Sequence, residues 1–425
     1  MRRTTLLAAG LAAVLAVLPA TTTAAAHDDR DRDHRHGHGE RETVRFSTFN
    51  ASLNRSTPGG LAADLAAPDS GTLPVQQAHR VAETIQRVRP DVLLVNEFDF
   101  DPAAVDLFRD NFLEVAHGDA GPIDYPHAYV APSNTGVPSG HDLNNDGRVG
   151  GGDDAFGFGL FPGQYGMVVY SQHPIDTDAV RTFRTFRWAD MPGALLPDDP
   201  ATDAPADWYS AEELQDVRLS SKSHWDVPIE VGDETVHFLV SHPTPPTFDG
   251  PEDRNGLRNH DEIRFWADYV SPVRKRAAYI YDDEGRYGGL PRGASFVIAG
   301  DQNADPEDGD SVDAAIDQLL RHPRVVDPEP TSAGGAEAVD QGGANLLHDG
   351  DPALDTADFA DGAPGNLRVD YVLPSKGTKV VGSGIFWPVD ADPLYYLTGD
   401  YDPARWPFTG VPTSDHRQVW VDVRH

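Results

Sequence analysis

Apolar and polar side chains alternate along Val44-Arg-Phe-Ser-Thr-Phe-Asn50, the period of a half-buried strand. After a Gly/Pro/Ala loop the period lengthens. From Pro74 to Arg89, the residues Val75, Ala78, Val81, Ala82, Ile85 and Val88 share one helical stripe, which Pro90 ends. Asp91-Val-Leu-Leu-Val95 is a short apolar run of buried-strand type, with Asn96-Glu97 at its end. Strand, helix and strand in this order predict an α/β layered fold. Further strands are expected at Gly166–Ser171, Phe296–Ala299, Arg368–Leu373 and Gln418–Val423. Ser223 to Glu230 and Glu234 to Ser241 flank Gly232-Asp233 as a hairpin, with Pro228 moving the first strand toward an edge. A helix is predicted through Ile263, Phe265, Trp266, Tyr269 and Val270, opened by Asn259 with Glu262 completing a capping box. Another is predicted over Ser311–Leu320, capped by Asp310. Residues 101–163, 189–216 and 328–365 lack a sustained period and read as surface loops. No polar linker divides residues 43–425, so they are expected to form one domain with insertions near 101–163 and 189–216.

The first residues change the picture. Arg2 and Arg3, an apolar run from Leu6 to Leu18 and Ala24-Ala25-Ala26 predict a cleaved export signal over residues 1–26, hence a secreted, extracellular protein. The run is short for a transmembrane anchor and is broken by Pro19; no later run approaches spanning length. Residues 27–42 are almost wholly polar and are expected to be a disordered His/Asp/Arg-rich linker, in which His34, His36 and His38 are weak metal-ligand candidates. The absence of cysteine excludes disulfides and thiolate metal sites. A formal charge of -34 repels polyanions at long range and argues against a broad nucleic-acid groove.

Candidate chemistry collects at strand ends: Asn50, Glu97, His242, Asp301, Asn303, Asp370, Asp415 and His416. Turns and caps commonly place Asp and Asn in such positions. Their recurrence at successive strands of a layered fold, where the ends converge on one rim, favours a site. Separately, Asp142-Leu-Asn-Asn-Asp-Gly-Arg-Val-Gly-Gly-Gly-Asp153 has the spacing of a calcium loop: Asp142, Asn144, Asp146, the Arg148 carbonyl and Asp153. The plainer reading is an Asp/Gly-rich surface turn. A structural Ca²⁺ is the expectation.

Thr48-Phe49-Asn50, Pro90 to Glu97, Gly300-Asp-Gln-Asn303, Arg368-Val-Asp370-Tyr and Ser414-Asp-His416 resemble, in order, the motifs of the endonuclease/exonuclease/phosphatase superfamily. That group includes DNase I, exonuclease III-like repair nucleases, inositol polyphosphate 5-phosphatases and bacterial sphingomyelinases. The resemblance runs from about Val44 to His425 and suggests a secreted bacterial member. It implies a DNase I-like four-layered α/β sandwich of two facing mixed β-sheets with outer helices. It implies Mg²⁺ at Glu97 and Asp415 with Asn50 beside it, Mn²⁺ being an alternative. Asp301 would orient or deprotonate the attacking water. Asn303 and His416 would contact the phosphate, Asp370 would pair with His416, and His242 would stand near the leaving group. The chemistry agrees: Mg²⁺ takes hard oxygen ligands, whereas zinc would call for more histidines, and phosphoester hydrolysis needs an in-line water and charge neutralisation.

The expected activity is a metal-dependent phosphoesterase acting on phosphate mono- or diesters. The substrate is an organic phosphate, a lipid head group or nucleic acid, and no protein partner is implied. An extracellular nuclease of the same fold is the first alternative. A non-catalytic, calcium-stabilised extracellular binding protein is the second.

Overall fold

The computed structural model describes residues 42–399, 401–407 and 410–424. The predicted export signal, and the predicted linker up to residue 41, lie outside them.

Two sheets face each other. The first has six strands in the order β10-β11-β1-β2-β4-β3, where β1 is Thr43–Asn50, β2 Val92–Asn96, β3 His127–Tyr129, β4 Met167–Ser171, β10 Lys379–Phe386 and β11 Gln418–Arg424. The second has five in the order β5-β6-β7-β8-β9, where β5 is Arg181–Thr182, β6 His224–Val231, β7 Glu234–Ser241, β8 Ser295–Asp301 and β9 Asp370–Pro374. Each sheet is mixed, with one parallel pair joined through a helix. Helix α2 (Leu73–Val88) links β1 to β2, and α4 (Arg254–Tyr269) links β7 to β8. The short helices α1 (Gly60–Leu65) and α3 (Pro102–Phe108) flank α2.

The period-two pattern explains the layers. In β1 and β2, Val44, Phe46, Val92 and Leu94 face the second sheet, where they meet Val227, Phe238, Val297 and Val372 among others. The alternate residues Phe49, Leu93 and Val95 face outward onto Val81, Ala82 and Ile85 of α2. On the far side, Leu239, Phe296 and Ile298 pack on Ile263 and Trp266 of α4. The three cores define four layers, α/β/β/α. Each fully buried large apolar side chain contributes about 1.5–3 kcal/mol.

Several boundaries differ from the sequence expectation. Helix α4 begins at Arg254, and Asn259 and Glu262 lie inside it rather than at its cap. Their side chains bond neighbouring loops instead, so a cap-like spacing arose from tertiary contacts. The predicted 311–320 helix is broken, because Asp313 and Ala314 both adopt φ 48°. Only a 3-10 turn, Val312–Ala314, and the helix α5, Asp317–Leu320, form there. The expected loops at 101–163 and 328–365 contain α3 and α6 (Ala333–Ala338). Strand β10 has no counterpart in the sequence expectation; its glycines interrupt the apolar pattern because Trp420 covers them, a Cβ at Gly384 lying 2.8 Å from that ring. Pro228 is tolerated in β6 because β5 pairs only with Trp225 and Asp226.

Candidate active site

Register brings the polar strand ends together. Asn50 closes β1 opposite Asn96, the last residue of the parallel β2. Asp301 closes β8 opposite Asp370, the first residue of the antiparallel β9. His242 directly follows β7, and Ser414-Asp415-His416 is separated from β11 by Arg417 alone. Across the sandwich β1 packs on β8 and β9, so all these ends share one rim.

Asp301 is the hub. Its Oδ2 accepts from Asn50 Nδ2 at 3.0 Å and lies 3.3 Å from His242 Nε2 and 3.6 Å from His416 Nε2. Its Oδ1 accepts from the Asn303 backbone N–H at 2.8 Å, and its own N–H donates to Asn96 Oδ1. Burial alone would raise its carboxyl, but His416, His242 and the Asn50 hydrogen bond outweigh it and hold the group well below the usual carboxylate range. Gly300 lets β8 approach this closely: at φ 146°, a Cβ there would fall 1.9 Å from the Ser241 carbonyl oxygen.

His416 Nδ1 donates to Asp370 Oδ2 at 2.8 Å, and Thr356 Oγ1 donates to the same oxygen at 3.0 Å. Burial opposes the imidazolium, yet Asp370 and Asp301 push the group up to about 10. His416 is therefore charged at neutral pH. Burial raises Asp370 to about 6, which leaves it ionised beside its cation. Among the described residues, Asp301, Asp370 and His416 form the one cluster of three side chains spaced to hold a metal. We read it as an acid–imidazolium–acid array, hydrogen-bonded at Asp370 and ion-paired at Asp301, because a doubly protonated imidazole has no lone pair to coordinate with. His242 behaves oppositely. Burial, then Lys222, push it down to about 4, so it is neutral, with Nε2 toward Asp301 and Nδ1 buried without a partner.

A second cluster lies beside this array. Burial and then the Asp415 carboxylate raise Glu97 to about 7. Asp415 Oδ1 accepts from Ser52 Oγ at 3.3 Å, and Ser414 Oγ ties that segment to the Asn50 carbonyl. Two carboxylates and the Asn50 amide oxygen make an all-oxygen donor set with mutual repulsion to relieve. These residues fit a hard divalent cation. Glu97 and Asn303 both hold left-handed backbones, φ 58° and 50°, a strain that persists where the surroundings over-determine it.

The calcium-loop residues are not gathered in this way. Asp142 and Asn144 accept backbone N–H groups of Asp146 and Gly147, and Asp146 accepts that of Arg148. Asp153 is exposed, and its buried neighbour Asp154 closes the turn through Leu143 and Gly150 N–H. Asp142, Asn144 and Asp146 thus act as acceptors that close a surface turn. The candidates His34, His36 and His38 lie outside the described residues.

Sequence reasoning did not single out Asn96, Thr356 or Lys222 as site residues. Asn96 had a signal, its place beside Glu97. Thr356 had none, since a loop threonine gains meaning only when it meets Asp370.

The chain matches the model of the Endonuclease/Exonuclease/phosphatase family over residues 47–416. It belongs to that family. Endonuclease/exonuclease/phosphatase proteins are phosphoester hydrolases, typically dependent on a divalent metal, and this chain is accordingly an enzyme acting on phosphoester bonds. Phosphoester or nucleic-acid substrates fit the family, and no described helix is long and apolar enough to cross a membrane. A comparison with curated proteins finds no match. Among solved structures, the chain is similar to an endonuclease/exonuclease/phosphatase from Beutenbergia cavernae at 17% identity, covering 90% of this chain and 72% of that one with a TM-score of 0.46. It is similar to a family protein from Leptotrichia buccalis at 14% identity, covering 90% and 100% with a TM-score of 0.43. Beta toxin from Staphylococcus aureus also matches at 14%, covering 89% and 99% with a TM-score of 0.40. These likenesses carry nothing about substrate.

Proposed function

We propose that the protein is an exported, Mg²⁺-dependent phosphoesterase that cleaves a phosphate mono- or diester by in-line attack of water. The observation that carries this reading is the convergence of Asn50, His242 and His416 on one oxygen of Asp301. Glu97, Asp415 and the Asn50 amide oxygen would hold the cation, which when bound supplies positive charge against the phosphate. A carboxylate held as low as Asp301 is a poor base but a good acceptor. Its role is to direct the water along the line of attack rather than to take its proton. The His416 imidazolium, fixed by Asp370, donates from Nε2 to a phosphate oxygen. Asn303 Nδ2 spends one N–H on the Pro243 carbonyl and has a second for the phosphate. Neutral His242 steadies Asp301, a different role from the expected place by the leaving group.

The formal charge of -34 favours a small organic phosphate or a lipid head group over a long polyanion. Residues 1–26 support export. With bis(p-nitrophenyl) phosphate as substrate, Asp301→Ala and His416→Ala are expected to abolish turnover while the circular dichroism stays native. EDTA is expected to stop the parent enzyme and Mg²⁺ to restore it. Full rates in both variants would remove the proposed site.

A further inference from the structure

The chain has four lysines. Lys275, Lys376 and Lys379 are exposed, and Lys222 is buried. The segment that carries it is fixed from two directions. Asn134 N–H donates to the Lys222 carbonyl at 2.9 Å, and a Cβ on Gly157 would strike the Ser221 carbonyl oxygen at 1.7 Å, so the 101–163 insertion lies directly on this backbone. From below, the Glu262 carboxylate accepts Ser221 N–H and Thr244 N–H, both at 2.7 Å. Glu262 thereby locks the Lys222 segment to the segment bearing His242 and Pro243.

Within that frame, Lys222 Nζ has one hydrogen-bond acceptor among the described residues, the Pro243 carbonyl at 3.2 Å. The same carbonyl accepts from Asn303 Nδ2 at 3.1 Å. The two donors therefore sit side by side over one oxygen. The charges that act on the ammonium include the carboxylates of Glu262, Asp301 and Glu97. An ammonium carries three N–H donors, and burying one with a single bond is costly. That cost is recovered if the spare donors meet an anion on the side where Asn303 also donates.

We propose that Lys222 is a further phosphate-binding residue of this site, donating from Nζ to a non-bridging oxygen beside the one that Asn303 takes. The inference rests on the phosphoesterase reading. It also gives the 101–163 insertion a role, which is to hold the backbone from which the cation is presented.

Two measurements test it. In the first, inorganic phosphate is titrated calorimetrically into the Mg²⁺-loaded protein and its variants, and bis(p-nitrophenyl) phosphate turnover is followed in parallel. Lys222→Met is expected to fold, to bind phosphate about 10-fold more weakly and to lose about 10²-fold in kcat/KM, the scale of removing one charged donor. Lys222→Arg is expected to recover part of both. If Lys222 served only to place Pro243 and hence Asn303, adding Lys222→Met to Asn303→Ala would cost nothing more; the proposal requires the two losses to multiply. In the second, the lysine ammonium ¹⁵N resonances of the unmodified protein are recorded with and without phosphate, a readout independent of any variant's folding. A shift confined to one of the four is expected. Unchanged affinity and rate in Lys222→Met, or no ammonium shift on binding, overturns this inference alone. A parent protein that binds no phosphate overturns the phosphoesterase reading with it.

Discussion

Glu97 shows what this site costs a single residue. It combines a left-handed backbone with a carboxyl pushed up by burial and by Asp415. Replacing it with glycine removes both penalties and should raise stability by about 1 kcal/mol while eliminating turnover. Paired thermal melts and rate measurements check this; a less stable Glu97→Gly protein would contradict it. His224 gives the pH counterpart. Its Nε2–H donates to the Glu262 carbonyl and its Nδ1 accepts from Ser220 Oγ, so both nitrogens are used by the neutral ring. Burial lowers it from 6.5 to about 4. The unfolded chain therefore binds the proton first, and stability is full above about pH 6.5 and declines toward pH 4. The loss from this residue is about 2 kcal/mol between pH 7 and pH 5. Urea midpoints at the two pH values should show it, and His224→Gln should flatten the difference. At this scale the sequence was legible wherever a polar residue ended a periodic strand or stood just before one, as Asn50, Asp301 and His416 do. It was silent where partnership is purely spatial, as for Thr356 with Asp370 or Lys222 with Pro243.

At the scale of elements, α4 does more than cross over between β7 and β8. Its buried Glu262 accepts three donors from Ser221 and Thr244. Glu262→Ala leaves two buried backbone N–H groups unsatisfied and should cost roughly 3 kcal/mol, with a concurrent loss of activity because His242 and Lys222 are no longer held. Glu262→Gln keeps one acceptor oxygen and should fall between the two in urea denaturation. Equal stability of all three would contradict the clamp. This element also shows why the sequence misled. Asn259 and Glu262 have the spacing of a capping box, yet Asn259 donates to the Thr244 and Gln302 carbonyls. Polar residues that bond other elements leave the same one-dimensional trace as polar residues that bond their own helix. The strands were read better, because period two survives any choice of partner. Three escaped: β3 and β5, only three and two residues long, and β10, whose glycines are packed by Trp420.

For the whole molecule, charge sets a test of substrate. A chain with a formal charge of -34 meets a small ester and a long polyanion differently. Raising ionic strength from 0.02 to roughly 0.2 M, which shortens the screening length several-fold, should leave kcat/KM for a small phosphodiester almost unchanged. Cleavage of an oligonucleotide should speed up as repulsion is screened. A steep fall for the oligonucleotide would instead reveal a basic binding groove.

The order of strands in the first sheet has a consequence in time. Thr43, at the start of β1, pairs with Arg424 at the end of β11, and β11 lies between β1 and β10. Asp415 and His416 arrive on the segment that leads into this strand. A refolding chain can form the β1–α2–β2 unit early from neighbouring sequence. It closes the sheet only by docking residues about 380 positions apart, which is slow. Every partly folded form is then chemically silent, and recovery of turnover doubles as a clock for the last seam to close.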